Sequence, residues 1–326
     1  MRFTIPIVLS LCVIGTALAK AGGRYSNDMP VVEEFAVAGN MAVIFGSLGE
    51  DLTAPPFANN AGQIRYTAID LSNMQVLNYG LLGKGVIRGV TRSGDSLVFC
   101  LFDYAKPPTG QASFYCVDAK GCTKLGALEA DCLGSFVRGN TLYAYSRNSV
   151  WELGNDRVWS KVRVEAPQAD YRWVSMDASG HGYLLTDGEL RVWGNGFSGK
   201  AITSTFEGKL SNAALGGKLW VCAMVGENTA VYEWETDSTS LNEIAQLQAL
   251  HIVQADAGEK GAVFVALRTE NGGSGREVFA VRYVPGKGAL SVVNKIGKVR
   301  FARVGGNFLY LCDEQGGITE QQMISK

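Results

Sequence analysis

Histidine is nearly absent from this 326-residue chain, which has only two, His181 and His251. A Ser-His-Asp or Cys-His relay needs a histidine beside its nucleophile, so only these two positions are open to one. A histidine-rich metal site is excluded by count. None of the seven cysteines falls in a C-x-x-C spacing, which leaves redox chemistry and a zinc knuckle without support. There is no D-x-D-x-D-G calcium loop and no phosphate-cradling glycine loop followed by Lys-Ser/Thr, so neither a metal nor a cofactor is expected. Proline is scarce, 8 against 40 glycines, and 47% of the residues are apolar. That balance excludes collagen and disorder and suits a turn-rich all-β chain. Neither sign of charge dominates: 30 basic residues face 31 acidic ones. Without a basic stripe, nucleic acid is not an expected partner. Beyond the N-terminus no apolar run is long enough to span a bilayer.

What is present is a phrase that returns: a Gly-anchored tight turn followed by a short apolar strand. Gly39-Asn40 before Met41 to Phe45, Gly94-Asp95 before Ser96 to Cys100, and Gly139-Asn140 before Thr141 to Tyr145 are clear copies. Gly216-Gly217-Lys218 before Leu219 to Cys222 and Gly306-Asn307 before Phe308 to Cys312 are two more. Looser copies lie at Ser179-Gly180-His181-Gly182 and Glu259-Lys260-Gly261, which makes seven. Glycine supplies the positive φ of two-residue hairpin turns. The β-branched and aromatic residues that follow suit a strand buried on both faces. A strand precedes each turn (Leu133 to Val137, Val299 to Val304), and a third follows (Ser149 to Leu153, Ala230 to Trp234). A fourth, more polar strand comes next, as at Asn242 to Leu247. The spacing is about 40–50 residues, the length of a four-stranded propeller blade. The expected fold is an all-β, seven-bladed β-propeller of four-stranded antiparallel blades, because radial packing buries both faces of each sheet.

Met1 to Thr4 is cationic, Ile5 to Thr16 apolar, and Ala17-Leu18-Ala19 a small-x-small cleavage site. Residues 1–19 read as a secretory signal peptide, with an uncleaved anchor as the alternative. Residues 20–29 read as a flexible leader and 30–326 as one propeller domain, secreted or periplasmic. Val31-Val32 and neighbours are the expected donor of a closing strand to the last blade, which would remove an open edge. Insertions at Ser47 to Gly62, Tyr104 to Gln111 and Thr269 to Gly275 map to loops, either functional or decorative.

Six cysteines remain after Cys12 is set aside, an even number that invites disulfides in an exported chain. Cys116 and Cys122 flank one hairpin turn and could bridge it, and Cys132 could reach Cys100 in a neighbouring blade. Cys100, Cys222 and Cys312 share one place in the repeat, too far apart to pair with each other. They read as small buried apolar residues.

His181 lies in the turn of its own repeat and reads as a turn residue at one rim. The loops that enter each innermost strand gather on one rim of the channel. They carry Glu34, Arg88, Asp131, Tyr171, Arg172, His251 and Arg300, either a polar binding funnel or ordinary rim residues exchanging salt bridges. No catalytic residue is assigned. The expected function is an exported binding or scaffold module for a protein or glycan. The alternative is a hydrolase or lyase acting on carbohydrate or a lactone, with carboxylates and His251 in the funnel. It requires two titratable groups about 5–9 Å apart. A third possibility, a subunit of an envelope assembly, would show an apolar patch on the outer strands.

The mature chain resembles the β-propeller superfamily. Gly216 to Val221 followed by Val231 to Asp237 is similar to a kelch hairpin and its next strand, although the kelch double glycine after the second strand is missing. WD repeats are similar in length, but their closing Trp-Asp is absent. Gly180 to Asn195 resembles one repeat of the chromosome-condensation-regulator propellers, and Ser175 to Gly180 the start of a sialidase Asp-box without its repetition. The resemblance implies a fold; function would follow only by analogy.

Overall fold

The structure, a computed structural model, describes residues 31–48, 63–103, 110–165, 170–235, 238–259, 261–269, 276–283, 290–295, 299–313 and 316–322. These residues form 27 strands in seven antiparallel sheets, and the propeller fold and blade number expected from the repeat are what is observed. The blades are residues 31–84, 86–128, 134–162, 173–205, 209–247, 250–295 and 299–322. In each, the strands follow in chain order from the channel outward. Six blades have four strands; blade 7 has three among the described residues.

The repeated glycine works as the turn chemistry requires. Ala38 pairs with Met41, Ser93 with Ser96, Arg138 with Thr141 and Gly305 with Phe308, each across a two-residue turn. The first turn residue is a glycine with φ of +53 to +59° in all four, and the second is not left-handed, the pattern of a type II′ turn. The Gly216-Gly217 copy differs. It is a three-residue connection between Leu215 and Leu219, and neither glycine has positive φ.

Each sheet buries both faces against its neighbours. Seven apolar clusters result, one per blade junction. Phe99 and Phe264 are fully buried in two of them; burying a side chain of this size contributes about 2–3 kcal/mol. Cys100, Cys222 and Cys312 are buried apolar positions, as their place in the repeat implied.

The junction of blades 7 and 1 corrects one expectation. Val31 and Val32 are not a strand donated to blade 7: they pair with Ser47 and Gly46 in blade 1. The ring closes instead by packing. Phe35, Val37 and Ile44 meet Phe301, Tyr310 and Ile318 in one buried cluster. The fit is tight, since a Cβ on Gly305 would sit 2.8 Å from Val37. The residues read from the sequence as signal peptide and leader (1–29) and the centres of all three insertions lie outside the described residues.

Candidate functional site

The seven innermost strands enclose a channel with a cavity of about 680 Å³. The chain enters these strands at what we call the upper rim; the tight turns form the lower rim. Bulges interrupt the innermost strands of blades 1, 2, 5, 6 and 7 near the upper rim, at Val32/Glu34, Arg88/Thr91, Leu210/Asn212, Ile252/Gln254 and Val299/Phe301. A bulge re-aims the next side chain. Here Glu34, Asn212 and Gln254 follow the bulge and line the channel.

Two charged clusters cross the cavity. Arg92 in blade 2 donates from Nε to the Val37 carbonyl of blade 1 (2.8 Å) and from Nη1 to the Ala257 carbonyl of blade 6 (3.0 Å). Its Nη2 pairs with Asp256. The Asp256 carboxylate also accepts the Val304 amide of blade 7 at 2.6 Å, so four blades meet on one ion pair. Arg303 of blade 7 donates to Gln254 Oε1 of blade 6 (3.0 Å) and to its neighbour's carbonyl at Ala302 (2.8 Å), and it pairs with Glu34 of blade 1. Asn212 continues the belt by donating to the Val253 carbonyl at 3.0 Å.

Of the seven residues expected on the rim, Glu34 is among those that line this cavity. Arg88 and Asp131 are brought together, 3.0 Å apart. Arg88 also donates to the Cys132 carbonyl and lies 4.3 Å over the Phe102 ring, joining blades 2 and 3. Arg172 pairs with Asp187 at 2.9 Å and with Asp170 at 3.6 Å. Tyr171 is buried, and its amide donates to the Arg147 carbonyl. His251 is half-buried opposite Leu267. Arg300 is the bulge residue of blade 7, 5.7 Å from the Phe301 ring.

Arg92, Asp256 and Arg303 were not singled out in the sequence. The signal available was a charged residue two or three places before a turn, inside an otherwise buried innermost strand.

On the lower rim Asp177 organises the one long turn of this kind, five residues between Met176 and Gly182. It accepts the His181 amide, the His181 ring Nδ1 and the Tyr183 hydroxyl, each at 2.9 Å. Burial opposes ionisation of Asp177, but these hydrogen bonds prevail and hold it below the ordinary carboxylate range. Cys116 and Cys122 are free thiols. Cys116 pairs with Thr123 and Val117 with Cys122, so the two cysteines point to opposite faces of their hairpin. Cys122 packs toward blade 1 and Cys116 toward blade 3. Burial pushes the Cys132 thiol up to about 12, and Cys132 shares its buried cluster with Cys100. Among the described residues no three His, Cys, Asp or Glu side chains are grouped to hold a metal ion, and no helix is long and apolar enough to cross a membrane.

No protein-family model matches the chain, and no curated sequence is similar to it. Solved propellers are similar in fold. The β-propeller domain of Cps50 (Swd1) from Myceliophteria thermophila matches with TM-score 0.63 at 11% identity, over 91% of this chain and 98% of that one. The β-propeller domain of the trilobed protease from Pyrococcus furiosus, described as having an open velcro topology, matches with TM-score 0.60 at 10% identity, over 91% and 96%. The RRP9 WD40 repeats match with TM-score 0.58 at 14% identity, over 93% and 91%.

Proposed function

We propose that this chain is an exported binding or scaffold module and not a hydrolase. One observation carries the reading: two of the three carboxylates that line the channel among the described residues, Glu34 and Asp256, are engaged in holding blades together. Glu34 is paired with Arg303, and Asp256 with Arg92 and the Val304 amide. General acid–base catalysis needs a carboxyl that exchanges protons with a substrate. A carboxylate in a charge-assisted pair between blades is poorly placed for that. The mixed polar wall and the upper rim suit recognition of a protein or glycan, with the ion pairs as a rigid floor. The signal-like residues 1–19 support export.

The test uses the mature chain, residues 20–326. It is screened against glycan and lactone libraries, by thermal shift for binding and by product formation for turnover. The expected outcome is ligand-dependent stabilisation without turnover. Turnover that Asp256→Asn abolishes in a variant that remains folded would sink this reading in favour of the hydrolase.

A further inference from the structure

Neighbouring blades cover one another out to their outermost strands. Asn78, on the outermost strand of blade 1 (Gln75–Lys84), donates to the Asp118 and Ala119 carbonyls of blade 2. A Cβ on Gly126, on the outermost strand of blade 2, would meet Trp159 and Leu153 of blade 3. Ser204, on the outermost strand of blade 4, accepts the Leu241 amide of blade 5. At the junction of blades 7 and 1 this cover is lacking among the described residues, because blade 7 ends at its third strand, Ile318–Gln322.

The consequence is visible on Gln75–Lys84, the longest strand among the described residues. Tyr79 is 63% exposed and Leu81 55%. Both face blade 7. Tyr79 lies opposite Thr67, which lies opposite Ile44, and Ile44 is buried in the cluster shared with blade 7. Leu81 lies opposite Arg65, in the next row on the same face. The exposed positions of other outermost strands are mostly polar: Thr123 and Lys124, Ser160 and Lys161, Thr203 and Thr205, Glu243 and Gln246. No charged side chain interrupts the run from Gln75 to Gly83, so the wall that blade 1 presents to the notch is uncharged over that run. Across the notch, Glu320 is exposed on the face of blade 7 that looks toward blade 1, since its row partner Tyr310 belongs to the shared cluster.

We propose that this notch is a strand-acceptor groove: an extended segment of a partner protein pairs with Ile318–Gln322 and completes blade 7 as its fourth strand. Main-chain hydrogen bonds to a free edge give affinity, and alternate side chains give specificity. The register defines the chemistry of the guest. Its residue opposite Glu320 is basic. Its neighbour two places away, opposite Ile318, is apolar and extends the apolar surface of Tyr79 and Leu81. Residues 20–30 of this chain are a poor guest, with Gly22-Gly23, Asn27-Asp28 and Pro30 in one short stretch. The inference rests on the binding-module reading and adds a site and a ligand class to it.

The test uses the mature chain and a fluorescein-labelled nine-residue peptide with valine at alternate positions and one lysine in phase with them. The control peptide carries proline at two central positions. Fluorescence anisotropy should show binding of the first peptide only. Tyr79→Asp and Glu320→Lys, both at exposed sites, should each weaken it at least tenfold. A peptide with glutamate in place of lysine should restore binding to Glu320→Lys, and Ile202→Asp on blade 4 should have no effect. The proposal falls if the alternating peptide does not bind, or if Ile202→Asp weakens it as much as Tyr79→Asp. It also falls if binding appears only after residues 20–29 are deleted, which would give the groove to the chain's own leader. A concentration-dependent dimer dissolved by Tyr79→Asp would give it to a second copy. None of these outcomes bears on turnover, so the two readings fail separately.

Discussion

Asp177 shows how one side chain can stand in for a two-residue turn. Where other repeats use a glycine at φ near +55°, the Asp177 carboxylate collects three donors and fixes a five-residue turn. Its folded pKa lies below that of the unfolded chain, so its stabilisation is present above the unfolded value of about 3.9 and is lost as pH falls through the folded one. Thermal melts of the parent between pH 6 and pH 3 should therefore show an extra loss of Tm below about pH 4. Asp177→Asn should be less stable at pH 6 by about 1–2 kcal/mol and should lack that extra loss. Parallel pH profiles for the two proteins would assign the cluster no electrostatic role.

At the scale of the strand, the glycines separate two demands. Gly94 and Gly89 are both left-handed, at φ +59° and +57°. A Cβ on Gly94 meets nothing within 4 Å, whereas one on Gly89 would lie 2.5 Å from the Ser135 amide nitrogen in blade 3. Gly94→Ala should cost about 1 kcal/mol, the strain of the backbone alone. Gly89→Ala should cost about 2–3 kcal/mol, because backbone must also shift. Equal chemical-denaturation midpoints for the two variants would show that the bulge of blade 2 does not press on blade 3.

The elements were legible because their signals are local. The turn glycine, the apolar strand after it and the polar fourth strand lie within one repeat, and Asn242–Leu247 is observed with the limits read from the sequence. The site was legible only by address. Glu34, Arg88 and Arg300 could be placed at the upper rim, but their partners are set by ring geometry. Arg88 meets Asp131 43 residues away, and Arg92 meets Asp256 164 away. Residue spacing carries no record of contacts made across a channel. The closing strand was misplaced for a related reason: Val31-Val32 has the composition of any inner strand, and it is the backbone pairing with Ser47 and Gly46 that assigns it to blade 1, while the Val32 side chain packs in the cluster shared with blade 7.

For the whole molecule, the two channel ion pairs should act as ring closures. Both are partly screened from water, with side-chain exposures of 13% and 24% for Arg303 and Glu34 and 33% and 18% for Arg92 and Asp256. Arg303→Ala or Glu34→Ala should each lower stability by about 2 kcal/mol, and the double variant should lose less than the sum, a coupling of about 1 kcal/mol. A coupling near zero in urea denaturation would mean that apolar packing alone closes the ring.

The pairing of Glu34 with Arg303 also has a meaning in time. The two residues are 269 apart in the chain, against 43 for the contact between Arg88 and Asp131. By the logarithmic rule for loop closure, joining them costs about 1.6 kcal/mol more than joining adjacent blades. As the polypeptide is synthesised, six blades can stack in order while the first keeps one flank bare, waiting for residues 299–322. The last contact made is then the one that turns a curved stack into a circle, and it is made by charges on adjacent blades from opposite ends of the chain.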